Sequence, residues 1–313
     1  MPDEPISVVT LADRPLKWIS NFDGQFEGMI PARQALAESR NAVAIWIVQQ
    51  IGIDSVLNTA RDVGIRTSLH RYDTTALGAS EVTLLELANA YRMMASGLHA
   101  EPYVIAKIEQ SGGDVVYSHS LLCCPTNENG PELSMIQEGL RGVVRIPSGT
   151  AHALDARSFP IPVMGKTGTT NNYRDALFVG STYGPDGITV AVRIGFDDSR
   201  SLGGMETGGR AALPVFREVM LETYQAKLVG PVPSFPANME NNIADYLSSN
   251  FAGKEATRLF NSPDPREAEE DWVRSCRAEG MTMATNACEL PLIPLPAVYQ
   301  RRDGHGRIVF TNE

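Results

Sequence analysis

Val163-Met164-Gly165-Lys166-Thr167-Gly168-Thr169-Thr170 is the stretch on which the fold turns. It follows Pro160 and Pro162, and from there the apolar spacing shifts to a period of two. Val163–Thr169, Ala176–Thr182 and Ile188–Phe196 read as three strands. Gly184-Pro185-Asp186-Gly187, between the second and third, is strong turn chemistry. A helix over Ala211–Gln225 follows, with Leu213, Phe216 and Met220 on one side.

Upstream the period is helical. From Ala32 onward, Val43, Trp46, Ile47 and Gln50 recur at the three-four spacing, and Gly52 stops the helix. Thr83-Leu84-Leu85-Glu86 is a capping box, in which hydroxyl and carboxylate satisfy each other's orphan backbone donors. Leu84, Leu87, Ala88, Tyr91 and Ala95 then share a face, and Gly97 ends the element. A further helix spans Leu133–Val144, and Val104–Tyr117 reads as a β-ribbon turning at Gly112-Gly113. Residues 1–24 read as loop with one extended piece, Ile6–Leu11. Beyond Gly230 the chain becomes rich in Pro, Asn and charge, with a short helix starting at Arg266–Asp271 and much of the rest mobile. The fold class is therefore α/β in the α+β sense, a helical region plus an antiparallel sheet backed by helices.

Bulk properties exclude several functions. A chain of 313 residues with 43% hydrophobic and 20% charged content is globular. Its formal net charge of -10 argues against nucleic acid, which needs clustered cations. No apolar run approaches the roughly 18 to 20 residues that span a bilayer, and Met1-Pro2-Asp3-Glu4-Pro5 does not open a secretory signal. Four cysteines do not make a disulfide scaffold, although the spacing of Cys276 and Cys288 permits one bridge in an oxidising compartment. His70, His99, His119, His152 and His305 are scattered without metal-like pairing, so neither metal nor cofactor is expected. Gly165-Lys166-Thr167 imitates the end of a phosphate-binding loop, but that motif needs a glycine where Pro160 stands. Asp197-Asp198 reads as a solvated turn.

Taken alone, Lys166-Thr167-Gly168 recurs by chance, and its plainest reading is a strand with Lys and Thr on the wet face. Its surroundings change that. Lys166 through Gly180, Gly195-Phe-Asp-Asp198 and Glu206-Thr-Gly-Gly-Arg-Ala-Ala-Leu-Pro214 resemble the corresponding strands and loop of class A penicillin-binding proteins, bifunctional peptidoglycan synthases of the 1A/1C type. Ala35 through Ile45 is similar to that family's Ser-x-Asn motif, here Ser39 and Asn41, and Ala76 through Thr83 with Ala90-Tyr91 also matches. The resemblance covers about residues 2 to 228, the C-terminal part of a transpeptidase domain, leaving 229–313 as a tail.

The resemblance implies a penicillin-binding transpeptidase or serine β-lactamase-like fold. It implies that Ser39 and Lys166 form a proton-handling network and that Asn41 holds the donor peptide's amide. Thr167 and Thr169 would bind the terminal carboxylate of a D-Ala–D-Ala stem peptide or a β-lactam, through charge-assisted hydrogen bonds. Gly168 would let the substrate backbone lie along the strand edge, and the Thr169 N–H would supply half of an oxyanion hole. The family is anchored in the inner membrane with this domain in the periplasm.

One departure is decisive. The family's Ser-x-x-Lys motif supplies the acylated serine, and no serine here has lysine three residues later. In the family that motif lies just before the region matching Pro2–Ile6. The expectation is a domain truncated before residue 1, missing its N-terminal half and inactive alone. Ser20, three residues after Lys17, has the reversed order and is a poor substitute. The alternative is a non-catalytic module that binds peptidoglycan or a partner.

Overall fold

The computed structural model describes residues 1–9, 16–119, 124–125, 131–236, 239, 298–302 and 308–312. The chain divides into two compact units, Met1–Pro265 and Arg266–Glu313.

In the first unit, the N-terminal residues are more ordered than their composition predicts. Strand β1 (Pro2–Asp3), β2 (Ile6–Val8), β3 (Lys17–Ile19) and β4 (Gly28–Met29) form two small antiparallel pairs, β1 with β4 and β2 with β3. Val8 and Ile19 close over Ile45. The helix predicted from Ala32 is broken into α1 (Ala32–Ala37) and α2 (Asn41–Ile51). Ser39, at φ 60, sits in the left-handed region between them, and Gly52, at φ 80, stops α2 as expected. Helix α3 (Ile53–Asp62) follows, then a 3-10 turn at Asp73–Leu77.

The capping box forms as the sequence predicts. Helix α4 (Leu84–Ser96) starts with the Glu86 N–H donating to Thr83 Oγ1 and the Thr83 N–H donating to the Glu86 carboxylate. Gly97, left-handed at φ 72, ends it. Its buried face agrees with the expected one in part: Ala95 is buried and Tyr91 packs against the same core, but Ala90 and Met93 are buried as well and Leu84 is exposed. Strand β5 (Leu98–His99) pairs with β8 (Cys124–Pro125), and β6 (Lys107–Glu109) with β7 (Val115–Ser118) makes the expected ribbon, turning at Gly112-Gly113.

Helix α5 (Pro131–Arg145) packs on α1 and leads through a turn into the sheet. The sheet has β10 (Asp175–Ser181) at its centre, β9 (Met164–Thr169) on one side and β11 (Thr189–Gly195) on the other, all antiparallel. A π-type turn at Gly208–Ala212 introduces α6 (Leu213–Gln225), which lays Leu213, Phe216 and Met220 against the sheet. Phe178 from β10 meets Phe216 edge-on at 4.7 Å, and a Cβ on Gly180 would come within 2.6 Å of Phe216 Cζ. A side chain there would push α6 off the sheet, and burying one such phenylalanine stabilises by about 1.5–3 kcal/mol. A second core joins Ala95, Leu140, Met164, Tyr183 and Met239.

In the second unit, β12 (Val298–Arg302) pairs with β13 (Ile308–Asn312) as an antiparallel hairpin. The expected helix at Arg266–Asp271 and the cysteines Cys276 and Cys288 lie outside the described residues.

Candidate functional site

Three backbone segments converge on the outer edge of β9. The first is the end of α1. There the Arg40 N–H reaches the Ala35 carbonyl at 2.9 Å and the Ser39 N–H reaches Leu36 O at 3.2 Å. This is a Schellman-type closure, in which the left-handed position usually belongs to glycine. Ser39 occupies it instead, at a conformational cost of about 1–2 kcal/mol. Strain of that kind persists only where the surroundings over-determine it.

The surroundings are explicit. Arg40 is buried, and four carboxylates encircle its guanidinium. Nε lies 2.9 Å from Glu38 and 3.7 Å from Asp3, Nη1 lies 2.9 Å from Asp23, and Nη2 contacts Glu27. Burial opposes the Arg40 charge, but these carboxylates outweigh it and raise its pKa. Glu27 is pushed up from the ordinary carboxylate range, first by burial and then by Glu38. Asn21 completes the frame. Its Nδ2 donates to Asp3 at 2.7 Å, and its Oδ1 accepts from the Ala42 N–H at the start of α2. The residues on either side of Ser39 are thus clamped to the N-terminal hairpins.

The second segment is β9 itself. Lys166 Nζ donates to Ser39 Oγ at 2.7 Å and to the Thr167 carbonyl at 3.3 Å. Burial penalises the ammonium and lowers its pKa to about 8. An amine in that position exchanges a proton near neutral pH far more readily than an ordinary lysine. The Thr170 N–H bonds the Asp175 carbonyl at 3.0 Å. Antiparallel alternation therefore turns the backbone groups of Thr167 and Thr169 away from β10, toward the open edge.

The third segment, not anticipated from sequence, is the turn after α5. Thr150 Oγ1 lies 2.7 Å from Thr167 Oγ1, and the Thr150 N–H donates to the Ala37 carbonyl at 3.1 Å. Thr150 ties the end of α1 to β9 and holds the Thr167 hydroxyl. Opposite it, the Gly208 N–H donates to Thr169 Oγ1 at 3.0 Å. A Cβ on Gly208 would lie 2.2 Å from the Leu177 carbonyl and 2.5 Å from that of Gly168, so only glycine allows this approach.

Ser39, Lys166 and Thr167 are therefore in one hydrogen-bonded set, with Gly168 and Thr169 next along the strand. Asn41 stands in the first turn of α2, and its Nδ2 donates to the Ser20 carbonyl at 3.0 Å. No group of three or more His, Cys, Asp or Glu side chains suited to a metal occurs among the described residues. Nor is any helix among them long and apolar enough to cross a membrane.

A helical region whose strained serine meets a half-buried lysine on the outer strand of an antiparallel sheet defines the penicillin-binding transpeptidase fold. The family described as "Penicillin binding protein transpeptidase domain" matches residues 2–221, and the chain belongs to it. Penicillin-binding protein 1A of Neisseria meningitidis is 32% identical over 282 residues, covering 86% of this chain and 34% of that protein. Its counterpart in Aquifex aeolicus is 36% identical over 206 residues, covering 65% and 27%. The chain spans about a third of the length of the relatives it matches. Among solved structures, penicillin-binding protein 1A from Haemophilus influenzae superposes with a TM-score of 0.64 at 24% identity, over 75% of this chain and 40% of that one. Penicillin-binding protein A from M. tuberculosis, solved as a ceftriaxone acyl-enzyme, gives 0.52 at 17%, over 71% and 56%.

Proposed function

We propose that residues 39, 41 and 166–169 form the proton-handling and carboxylate-binding part of a D,D-transpeptidase site that cross-links peptidoglycan in the periplasm. The observation that carries this reading is the 2.7 Å contact from Lys166 Nζ to Ser39 Oγ, beside an open strand edge. Lys166, with its lowered pKa, and Ser39 relay the proton that an attacking hydroxyl gives up and a leaving D-Ala amine takes. Thr167 and Thr169 face the terminal carboxylate of a D-Ala–D-Ala stem peptide or a β-lactam. The N–H of Thr169 points to the edge and contributes one oxyanion donor, a contribution worth about 2.7–4 kcal/mol in related acyl transfer. Gly168 leaves the strand edge clear for an extended peptide, and Asn41 turns its amide from Ser20 to the donor peptide.

The acylated serine of Ser-x-x-Lys does not occur within these 313 residues. By this reading the chain alone forms no acyl-enzyme, because no activated nucleophile is present. Fluorescent penicillin tests this. The 313-residue chain should carry no covalent label, and a fusion to the N-terminal half of the Neisseria meningitidis 1A transpeptidase domain should carry one. A heat-sensitive labelled band on the chain alone would refute the inactivity, and an unlabelled but folded fusion would refute the site. A non-catalytic peptidoglycan-binding module is the second reading, favoured by the same missing nucleophile. Retention of the chain on peptidoglycan without acylation would support it.

A further inference from the structure

The turn after α5 fixes Thr150 by its backbone. The Gly149 N–H donates to the Ile146 carbonyl at 2.8 Å, and the Ala151 N–H to that of Val143 at 3.0 Å. A Cβ on Gly149 would lie 2.4 Å from the Val143 carbonyl, so the turn closes only around glycine. Ala151 is fully buried in the main core. Thr150 itself donates its N–H to the Ala37 carbonyl at 3.1 Å. Gly209 packs so closely on its carbonyl that a Cβ there would come within 2.5 Å. The end of α1 and the π-type turn before α6 thus hold the backbone of Thr150 from two sides.

None of these contacts uses the side chain. Thr150 is exposed, and among the described residues its hydroxyl has a single partner, Thr167 Oγ1 at 2.7 Å. An exposed hydroxyl finds water as readily as another hydroxyl, so this bond adds little to stability. Its value lies in direction. Thr167 Oγ1 likewise bonds only Thr150 among the described residues. A hydroxyl has one proton to give and two lone pairs, whereas an ionised carboxylate only accepts. With Thr150 donating, Thr167 accepts on one side and keeps its own proton for a ligand. With the roles reversed, that proton is spent on Thr150. An incoming carboxylate therefore selects the first arrangement, a chain running from Thr150 through Thr167 to the anion. Bonds in such a chain polarise and strengthen one another.

We propose that Thr150 is a positioning residue for the substrate's terminal carboxylate, acting through the Thr167 hydroxyl and setting the site's preference for an anionic peptide end over a neutral one. The proposal rests on the transpeptidase reading, which supplies the ligand.

The probes are N-acetyl-D-Ala-D-Ala and its C-terminal amide, each titrated into the full 313-residue chain and followed by NMR. Only non-covalent binding is read, so the acylated serine is not needed. The parent should bind the acid with a Kd on the order of 1 mM and the amide about tenfold more weakly. Thr150→Val keeps the shape of the side chain and removes the hydroxyl. It should weaken acid binding by about threefold to tenfold, leave amide binding unchanged and melt within about 2 °C of the parent. Thr150→Ser, which restores a hydroxyl, should bind both probes as the parent does. Loss of acid and amide affinity by the same factor in Thr150→Val would mark a merely structural residue and overturn the proposal. Thr167→Val separates the proposal from the reading beneath it. If that variant loses the preference for the acid while Thr150→Val keeps it, the proposal falls and the transpeptidase reading stands. A parent that does not distinguish acid from amide would overturn both.

Discussion

Ser39 should respond to substitution in an order opposite to that of a helix position with negative φ. Its backbone is left-handed at φ 60, and its hydroxyl accepts from Lys166 Nζ at 2.7 Å. Ser39→Ala removes that bond, worth about 1.5–3 kcal/mol when one partner is charged, and keeps the backbone strain. Ser39→Gly removes the same bond but relieves about 1–2 kcal/mol of strain. Offsetting this, glycine loses about 0.5–1 kcal/mol through its greater freedom in the unfolded chain. The net expectation is that both variants are destabilised, with the glycine variant the more stable by about 0.5–1 kcal/mol. At a position with negative φ the ranking would be reversed. Urea unfolding at pH 7, comparing midpoints at a common slope, reads the difference directly. An alanine variant equal to or more stable than the glycine variant would show that Ser39 is not held left-handed, and the geometry around Lys166 would fall with it.

Lys166 makes a pH signature. Its folded pKa is lowered to about 8, against an ordinary value of 10.5, so between those values the unfolded chain binds more protons and stability rises with pH. Thermal melts from pH 7.5 to 10.5 should show that rise in the parent and its loss in Lys166→Met; identical profiles would remove the burial argument. Glu86, held to about pKa 2 chiefly by the Thr67 hydroxyl and then by the Thr83 and Thr67 backbone N–H groups, has the same sign in a more acidic window. Its contribution is present above the unfolded value of 4.5 and is lost as pH falls toward 2, so Glu86→Gln should cost about 1 kcal/mol at pH 7 and little near pH 2. Arg40→Ala strands Asp3, fully buried, and Glu38, 7% exposed, without their cation. A loss of about 3–5 kcal/mol is expected in urea unfolding at pH 7, and an effect below about 1 kcal/mol would show the clamp to be ornamental.

The parts of the fold legible in sequence are those with a sustained period or a local motif. The three strands, the Thr83–Glu86 box and the Gly52 and Gly97 stops are of that kind, and each lies within a residue or two of its expected place. The N-terminal hairpins are only two or three residues per strand, too short to show alternation, and their pairing is fixed by Asp3, Asn21 and Arg40 from distant positions. The break at Ser39 carried no signal, because a serine in a glycine's conformation looks like any helix surface residue. In α4 the period located a stripe but not its partner: the helix packs on β10, β11 and α5, leaving Leu84 and Leu85 exposed. Of the candidate site, Ser39, Asn41 and Lys166–Thr169 are named through resemblance to a family, not through spacing. Thr150 was not found, since its role depends on the 2.7 Å approach of two threonines seventeen residues apart.

The central claim, that Lys166 is where carboxylate recognition and proton transfer meet, is tested most directly by acylation rates in the fusion that restores a Ser-x-x-Lys serine. Stopped-flow or gel-based labelling with fluorescent penicillin should show Lys166→Ala slowed by about 100-fold or more, the scale of losing a positioned acid–base group. Lys107→Ala and Lys227→Ala, which change lysines outside the hydrogen-bonded set, should label at the parent rate. Equal rates for all three variants would contradict the account.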